Sequence, residues 1–163
     1  MNTRFLTPLL CCLLATGAFA GTSDLTITVS GIKSSEGRVR LALYRDQKTF
    51  GKEKKAVTVQ ETLAREGAVT LSVRDLPAGR YGILAYHDSN ASGSFNQLLG
   101  LFPREGYGLS SNPDPALGIS FDASAFEVAG GGDVEMEIRL NYCQGEGDAF
   151  TARTLTCWLA LSE

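Results

Sequence analysis

The sequence predicts an all-β fold, an antiparallel β-sandwich of about seven to nine strands. Apolar and polar residues alternate with a period of two through most of the chain, which is typical of strands with one buried and one wet face. Turn residues separate these runs, and no convincing helical period interrupts them. The chain has 163 residues, of which 44% are hydrophobic and 20% charged, as expected for one ordinary globular domain.

Four segments alternate most clearly, at 25–31, 38–44, 68–76 and 133–142. Turn signals lie at 34–37, 65–67, 76–79, 111–115 and 130–133. No helical pattern is convincing, and the stretch 49–64 is the one place that could hold a short helix. Its lysines are expected on a solvated loop face, and Phe50 is expected to act as a plug that pins the loop to the core. The predicted core faces are Leu25, Ile27 and Val29; Val39, Leu41 and Leu43; Val69, Leu71 and Val73; and Val134, Met136, Ile138, Leu140 and Tyr142.

Residues 1–20 are predicted to be a secretory signal peptide rather than part of the fold. Arg4 precedes an apolar run that ends in Ala18-Phe19-Ala20, an A-x-A cleavage pattern. The alternative is an N-terminal anchor helix, which the short run and its Pro8 disfavour. The expected mature chain is 21–163, located in the periplasm or secreted, with no transmembrane segment.

Removing residues 1–20 takes away one basic residue, Arg4, and leaves 14 Lys and Arg against 18 Asp and Glu, a net charge of −4. A mildly acidic chain without a basic stripe argues against nucleic acid and against anionic membranes as partners.

The mature chain keeps two of the four cysteines, Cys143 and Cys157. In an oxidising compartment they are expected to form a disulfide that staples a C-terminal hairpin at 143–163, with Trp158 near the bridge. Two free buried thiols or a soft-metal site are the alternatives, and the second lacks the additional ligands that such a site needs.

The stretch from Asp75 to Asn112 resembles the bacterial secreted domain-of-unknown-function 2141 family. That family typically carries D-L-P-x-G-x-Y-A, then H-D-x-N-x-N-G-x-x-D, then G-x-P-x-E-x-Y-G-F-S-N-N. The resemblance extends loosely over 25–142 and omits the cysteine-bearing tail. It implies an extracytoplasmic β-sandwich similar to transthyretin-like or immunoglobulin-like folds, and no established activity. The matching positions here are Asp75, Leu76, Pro77, Gly79, Tyr81, His87, Asp88, Asn90, Gly93, Pro103, Glu105, Tyr107, Gly108, Ser110 and Asn112.

The chain departs from the family pattern at four positions. Ser92 and Asn96 replace a loop Asn and a loop Asp, and Leu109 and Ser111 replace a Phe and an Asn. The loop after His87 has therefore lost acidity, which weakens the case for a cation there.

The loop "DSNASGSFN" (88–96) has the spacing of a calcium loop, with Asp88, Asn90, Ser92 and Asn96 at ligand positions and Gly93 at the sharp turn. Position 12, which should be a bidentate acid, is Leu99. Weak calcium is the one cofactor that the sequence suggests. The stronger interpretation is that the side chains of Asp88, Asn90 and Asn96 bond their own backbone and hold a turn, while Gly93 supplies a positive φ.

A hydrolase is the outside possibility, with His87 as base, Asp88 or Glu105 as its orienter and Ser110 or Ser111 as nucleophile. Adjacent strand residues point to opposite faces, which separates His87 from Asp88. No Gly-x-Ser-x-Gly elbow is present. A structural alternative has the imidazole bonded to the segment 103–108. The sequence therefore predicts a protein that is not an enzyme.

The predicted function is a non-enzymatic accessory or binding module of the envelope or the extracellular space, with the 87–112 region as its working surface. A calcium-stabilised module of the same fold is the alternative. The partner is expected to be an envelope protein, a peptide or a glycan of unknown identity. The predicted binding residues are His87, Asp88, Asn90, Asn96, Glu105, Tyr107, Ser110 and Asn112.

Overall fold

The computed structural model describes residues 21–95, 97, 98, 102, 103, 105–114 and 118–142. The predicted signal peptide, the site residue Asn96, and the hairpin at 143–163 with Cys143 and Cys157 lie outside these residues. Cleavage, the disulfide and the hairpin therefore stay predictions.

The described residues form ten strands, one turn of α-helix and one 3₁₀ turn at Glu53–Lys55. The long strands follow the alternating segments of the sequence. In chain order the elements are β1 (Thr22–Ile32), β2 (Arg38–Tyr44), β3 (Thr58–Leu63), β4 (Gly67–Pro77), β5 (Gly79–Asp88), β6 (Gln97–Leu98), β7 (Phe102–Pro103), β8 (Tyr107–Leu109), α1 (Phe121–Ser124), β9 (Phe126–Val128) and β10 (Val134–Arg139).

Two sheets make the predicted sandwich. The first has the order β10-β1-β4; the second has the order β3-β2-β5-β8, with β9 also paired to β5. Strands β6 and β7 form a separate short ribbon. The eight strands of the two sheets agree with the predicted number, so the all-β sandwich is confirmed. Within the described residues, no helix combines the length and apolar character needed to cross a membrane.

One strand pair differs from the antiparallel prediction. Strand β10 runs parallel to β1, with Leu25 beside Val134 and Ser30 beside Arg139. In the stretch 49–64 the only helical residues are the three of the 3₁₀ turn, and β3 follows them. Alternation marks which face of a strand is buried and carries no information about the direction of its neighbour.

The core between the sheets consists of the faces that alternation predicts. Leu25, Ile27 and Val29 of β1 are fully buried against Val39, Leu41 and Leu43 of β2. Strand β4 adds its apolar residues from the first sheet, and β5 adds Tyr81, Ile83 and Ala85 from the second. The face of β10 is less covered at its start, where Val134 and Met136 are half-buried.

A second core covers the outer face of the five-stranded sheet. Its apolar members from the sheet include Tyr44 of β2 and Leu84 and Tyr86 of β5. Phe50 packs edge-on against Tyr44 at 5.2 Å and against Phe121 at 5.7 Å between ring centroids, so its predicted role as a plug is confirmed. Strand β5 from Tyr81 onward and the second half of β2, Leu41–Tyr44, are therefore buried on both faces.

One side of the sandwich is closed by contacts between β8 and the end of β10. Tyr107 and Asn141 exchange backbone hydrogen bonds of 2.9 and 2.7 Å. The amide side chain of Asn112 donates to the Glu137 carbonyl and accepts from the Arg139 N–H, at 2.7 and 2.8 Å. On the opposite side, β3 and β4 have no further strand partner among the described residues.

Burial of tyrosines in these cores predicts an abnormal alkaline titration. Desolvation raises the pKa of Tyr44, Tyr86, Tyr107 and Tyr142, and the Glu53 carboxylate adds to the effect at Tyr44 and Tyr86. A raised native pKa means that the folded state keeps the proton that the unfolded state loses near pH 10. This stabilisation is fully present below about pH 10, so the free energy of unfolding should fall as the pH rises above it.

The ultraviolet absorbance of tyrosinate measures this directly. The folded chain should release most of its five tyrosine protons at higher pH than the same chain unfolded in guanidinium. Identical titration curves for the folded and unfolded chains would contradict the burial described here.

Candidate functional site

The predicted site begins at the end of β5, where Asp88 is fully buried. Its Oδ1 accepts the backbone N–H of Ser92, and its Oδ2 accepts the N–H of Gly93, each at 2.8 Å. The Asn90 side-chain oxygen also accepts the Ser92 N–H, at 3.1 Å. Asp88 and Asn90 thus close the loop on its own backbone, as the turn interpretation predicts.

Gly93 has a φ of +74°, so the predicted positive φ is confirmed. An added Cβ at this position meets no atom within 4 Å. The requirement for glycine is therefore conformational and not steric.

The structure leaves calcium binding untested. Asp88 is the one acidic residue in 88–95, and both of its oxygens already accept loop N–H groups. Of the other predicted ligands, Asn90 and Ser92 lie in this loop and Asn96 falls outside the described residues. Within the described part of the chain, no group of three or more His, Cys, Asp or Glu is placed to hold a metal ion.

His87 is buried beside Asp88 but faces different partners. Its Nε2 lies 2.8 Å from the Glu36 carbonyl and its Nδ1 lies 2.9 Å from the Tyr142 hydroxyl. A carbonyl only accepts, so Nε2 carries the proton in the neutral ring and Nδ1 accepts from the tyrosine. The predicted contact with 103–108 is wrong for the ring; the backbone N–H of His87 makes it, donating to the Gly106 carbonyl at 2.8 Å.

The Tyr142 ring reaches His87 because residue 106 has no side chain. A Cβ on Gly106 would lie 2.3 Å from Cζ of Tyr142. The Tyr142 hydroxyl also accepts the Lys33 N–H at 3.2 Å, and the Lys33 ammonium lies 4.9 Å from the ring centroid. His87 therefore joins β5, the 33–36 turn and the end of β10.

Ser110 is fully buried and makes two structural hydrogen bonds. Its hydroxyl accepts the Ile83 N–H at 2.8 Å and donates to the Ser124 carbonyl. Ser111, the other predicted nucleophile, is exposed, and its hydroxyl points to the Ala125 carbonyl at 3.4 Å. No hydrogen bond joins either serine to His87 among the described residues.

Glu105 and Tyr107 are also buried, and Asn112 is committed to the edge of β10. Strands β5 and β8 thus bring most of the predicted site residues close in space. The hydrogen bonds of His87, Asp88 and Ser110 go mainly to backbone groups or to the Tyr142 hydroxyl. Asn90 and Asn112 stay exposed. These placements do not test whether a ligand binds nearby.

A surface groove lies next to this region, on the outer face of the five-stranded sheet. Its volume is about 530 Å³. Arg40 and Val59 line it from the sheet, and the segments 51–54 and 93–95 line it from either side. Phe95 packs on Tyr86 at 5.2 Å and on Tyr107 at 6.0 Å, which holds the second segment against the sheet.

The floor of the groove is a network of charges. The Arg40 guanidinium pairs with the carboxylates of Glu53 and Glu61, and the Tyr86 hydroxyl donates to Glu53 at 2.6 Å. Burial alone would lower the pKa of Arg40, but the hydrogen bond and the charge of Glu53 raise it by more. The net pKa therefore lies above the ordinary arginine value, and the guanidinium keeps its proton. Its Nε is buried and has no hydrogen-bond partner among the described residues.

Sequence reasoning missed this groove. It assigned the lysines of 49–64 to a solvated loop and never placed them beside the 88–96 loop. Arg40 sits on a strand position that alternation marks as outward, and the Lys-rich "KEKK" (52–55) precedes β3. An outward arginine on one strand and a lysine-rich segment before another are the only sequence features that point to the groove. They do not reveal that Arg40 and the segment 52–55 lie next to Phe95.

The family model described as "Uncharacterized protein conserved in bacteria (DUF2141)" matches residues 27–137. The chain belongs to the DUF2141 family. No curated protein and no solved structure matches it.

The DUF2141 motif residues have structural tasks in this chain. In the first part, the Tyr81 hydroxyl donates to the Pro77 carbonyl at 2.9 Å, and Asp75 adopts a φ of 54° at an irregularity of β4. In the last part, Gly108 lies so close to β10 that a Cβ would approach the Arg139 carbonyl oxygen to 2.5 Å. Leu109, where the family pattern has Phe, is buried in the outer core.

Replacing Gly93 with alanine should lower the free energy of unfolding by about 1–2 kcal/mol, because an L-residue then occupies the left-handed region. Denaturant unfolding measures the loss. Gly93→Asn is the matched control and should lose less, since asparagine tolerates this conformation better. Equal stability of Gly93→Ala and the wild type would contradict the described turn.

Replacing Ser110 with alanine should cost about 1–3 kcal/mol, because the buried Ile83 N–H loses its acceptor. The neighbouring Ser111→Ala change should stay within about 0.5 kcal/mol, since that hydroxyl is exposed. Thermal and denaturant unfolding of both variants test the difference. A Ser110→Ala protein as stable as Ser111→Ala would refute the structural role.

Proposed function

We propose that this protein is a non-enzymatic binding module of the periplasm or the extracellular space, and that its ligand lies in the groove between 51–54 and 93–95. The groove itself, with its volume of about 530 Å³, is the observation that carries the proposal. It narrows the predicted working surface at 87–112 to the segment 93–95 and combines it with a surface that the sequence did not indicate. The predicted signal peptide supports the location.

The lining favours a ligand that is partly apolar and carries negative charge. Phe95 and Val59 supply apolar surface, while the side chains of Lys52 and Lys54 stand exposed at the rim. The one acid in the lining, Glu53, is already paired with Arg40 and Tyr86. An acidic glycan or an acidic extended peptide matches this surface.

The positions of the motif residues support a non-enzymatic role. Both nitrogens of His87 are occupied by Tyr142 and the Glu36 carbonyl, and the Ser110 hydroxyl is occupied by backbone groups. A general base needs to reach the nucleophile that it activates. The hydrolase alternative therefore has less support than binding, and calcium as a cofactor stays a separate prediction.

Charge reversal at the rim tests the proposal. Lys54→Glu should weaken binding of an oligogalacturonate or of hexaglutamate by roughly three- to tenfold at low salt, because one attractive charge becomes repulsive. Isothermal calorimetry measures the affinity, with Ca²⁺ or chelator added in parallel runs.

Lys55→Glu is the matched control, since Lys55 is an exposed neighbour that does not line the groove. It makes the same change in net charge and should alter affinity much less. Equal weakening by both variants, or no binding of either probe to the wild type, would count against the groove as the binding site. Preference for one probe would decide between glycan and peptide.

A further inference from the structure

The open side of the sandwich ends in an edge strand that lacks the usual protection against pairing. Strand β3 pairs with β2 over six consecutive positions without a bulge. Its sequence, TVQETL, has no proline and no lysine. Edge strands that avoid association commonly carry a proline, a bulge or an inward charge. Since no other strand of the described residues pairs with it, this edge presents backbone groups to an added strand.

The two large hydrophobic residues that are exposed in the described part of the chain flank this edge. Leu63 is 67% exposed and Val57 is 50% exposed. Val57 continues the line of β3, because its N–H donates to the Leu43 carbonyl of β2 at 2.7 Å. Val57 and Leu63 are an even number of positions apart and therefore project from the same face of the strand, so a single added strand would cover both.

We propose that the protein forms a two-fold symmetric dimer by antiparallel pairing of β3 with β3 of a second copy, centred on Gln60. A two-fold axis makes each contact occur twice, so a residue at one end of the strand must match one at the other end. Centred on Gln60, Val57 of each copy lies opposite Leu63 of the other. In this single register, each of the two exposed hydrophobic residues is covered by the other one from the second copy.

Charge supports this register over its neighbours. Glu61 lies opposite Val59 of the second copy, and its carboxylate stays paired with Arg38 and Arg40. A register centred on Glu61 would place two like charges directly opposite one another, which is destabilising. A register centred on Val59 would leave Leu63 without its apolar partner. The register centred on Gln60 avoids both costs.

Sedimentation velocity of the wild-type protein over a range of concentrations tests the dimer. A seven-residue strand pair is smaller than the roughly 1,200–2,000 Å² of stable interfaces, so micromolar dissociation is expected. Leu63→Lys should raise the dissociation constant at least tenfold, while Thr70→Lys, an exposed position on β4, should not. A wild-type monomer at all concentrations, or a Leu63→Lys dimer as stable as the wild type, would overturn the proposal.

Cysteine cross-linking tests the register independently of affinity. Gln60→Cys places two thiols opposite one another, within the Cα separation that a disulfide allows, so mild oxidation should give a covalent dimer. In the same register Thr62→Cys lies opposite residue 58, and its two copies are about 13 Å apart along the strands, so it should stay uncoupled. The wild type, oxidised in parallel, controls for Cys143 and Cys157.

Coupling of Gln60→Cys without coupling of Thr62→Cys supports the proposed pairing. Coupling of Thr62→Cys alone, or of neither variant, would show that any dimer uses another register or surface. If β3 of a monomer instead bound a foreign extended peptide, neither cysteine variant would couple, and the proposal would fail.

Discussion

The burial of β5 on both faces is the constraint on which the rest of the structure depends. From Tyr81 to Asp88 every residue of this strand is buried. One face packs into the core between the sheets, and the other needs a second cover that no sheet of the described residues supplies. The segments around Phe50, Phe95 and Phe121 provide that cover with aromatic rings. The outer groove exists because two of these covering segments do not meet over β2 and β3.

This double burial explains why the polar residues of the family motif are used inside the protein. Where the pairing of such a strand ends, its buried backbone N–H and C=O groups still need hydrogen-bond partners. A buried backbone group without a partner lowers the stability of the fold. Ser110 accepts the N–H of Ile83, and Asp88 closes the loop where β5 stops. A cluster of His, Asp and Ser in one motif then reflects the demands of a buried strand end, and the proposed ligand groove lies beside it.

Much of the fold follows from the sequence because alternation marks the buried face of each strand. The inner faces of β1, β2 and β4 were predicted residue by residue. The outer core was not, although "GILAY" (82–86) is a continuous apolar run, which is the pattern of a strand buried on both faces. The direction of β10 has no local signal. At the site, the turn roles of Asp88 and Gly93 follow from residue chemistry, whereas the partners of His87 come from segments distant in sequence and depend on the assembled sheets.

The parallel pairing of β1 with β10 has a consequence for how the chain is made. Leu25 and Val134 are neighbours in the sheet, although about 110 residues separate them. At synthesis rates of roughly 5–20 residues per second, β1 emerges about 5–20 seconds before its partner exists. The three-stranded sheet cannot be completed until nearly the whole chain has been released, and such non-local pairing is intrinsically slow. The chain therefore stays incompletely folded during synthesis, a state compatible with the predicted export of the chain as an extended polypeptide.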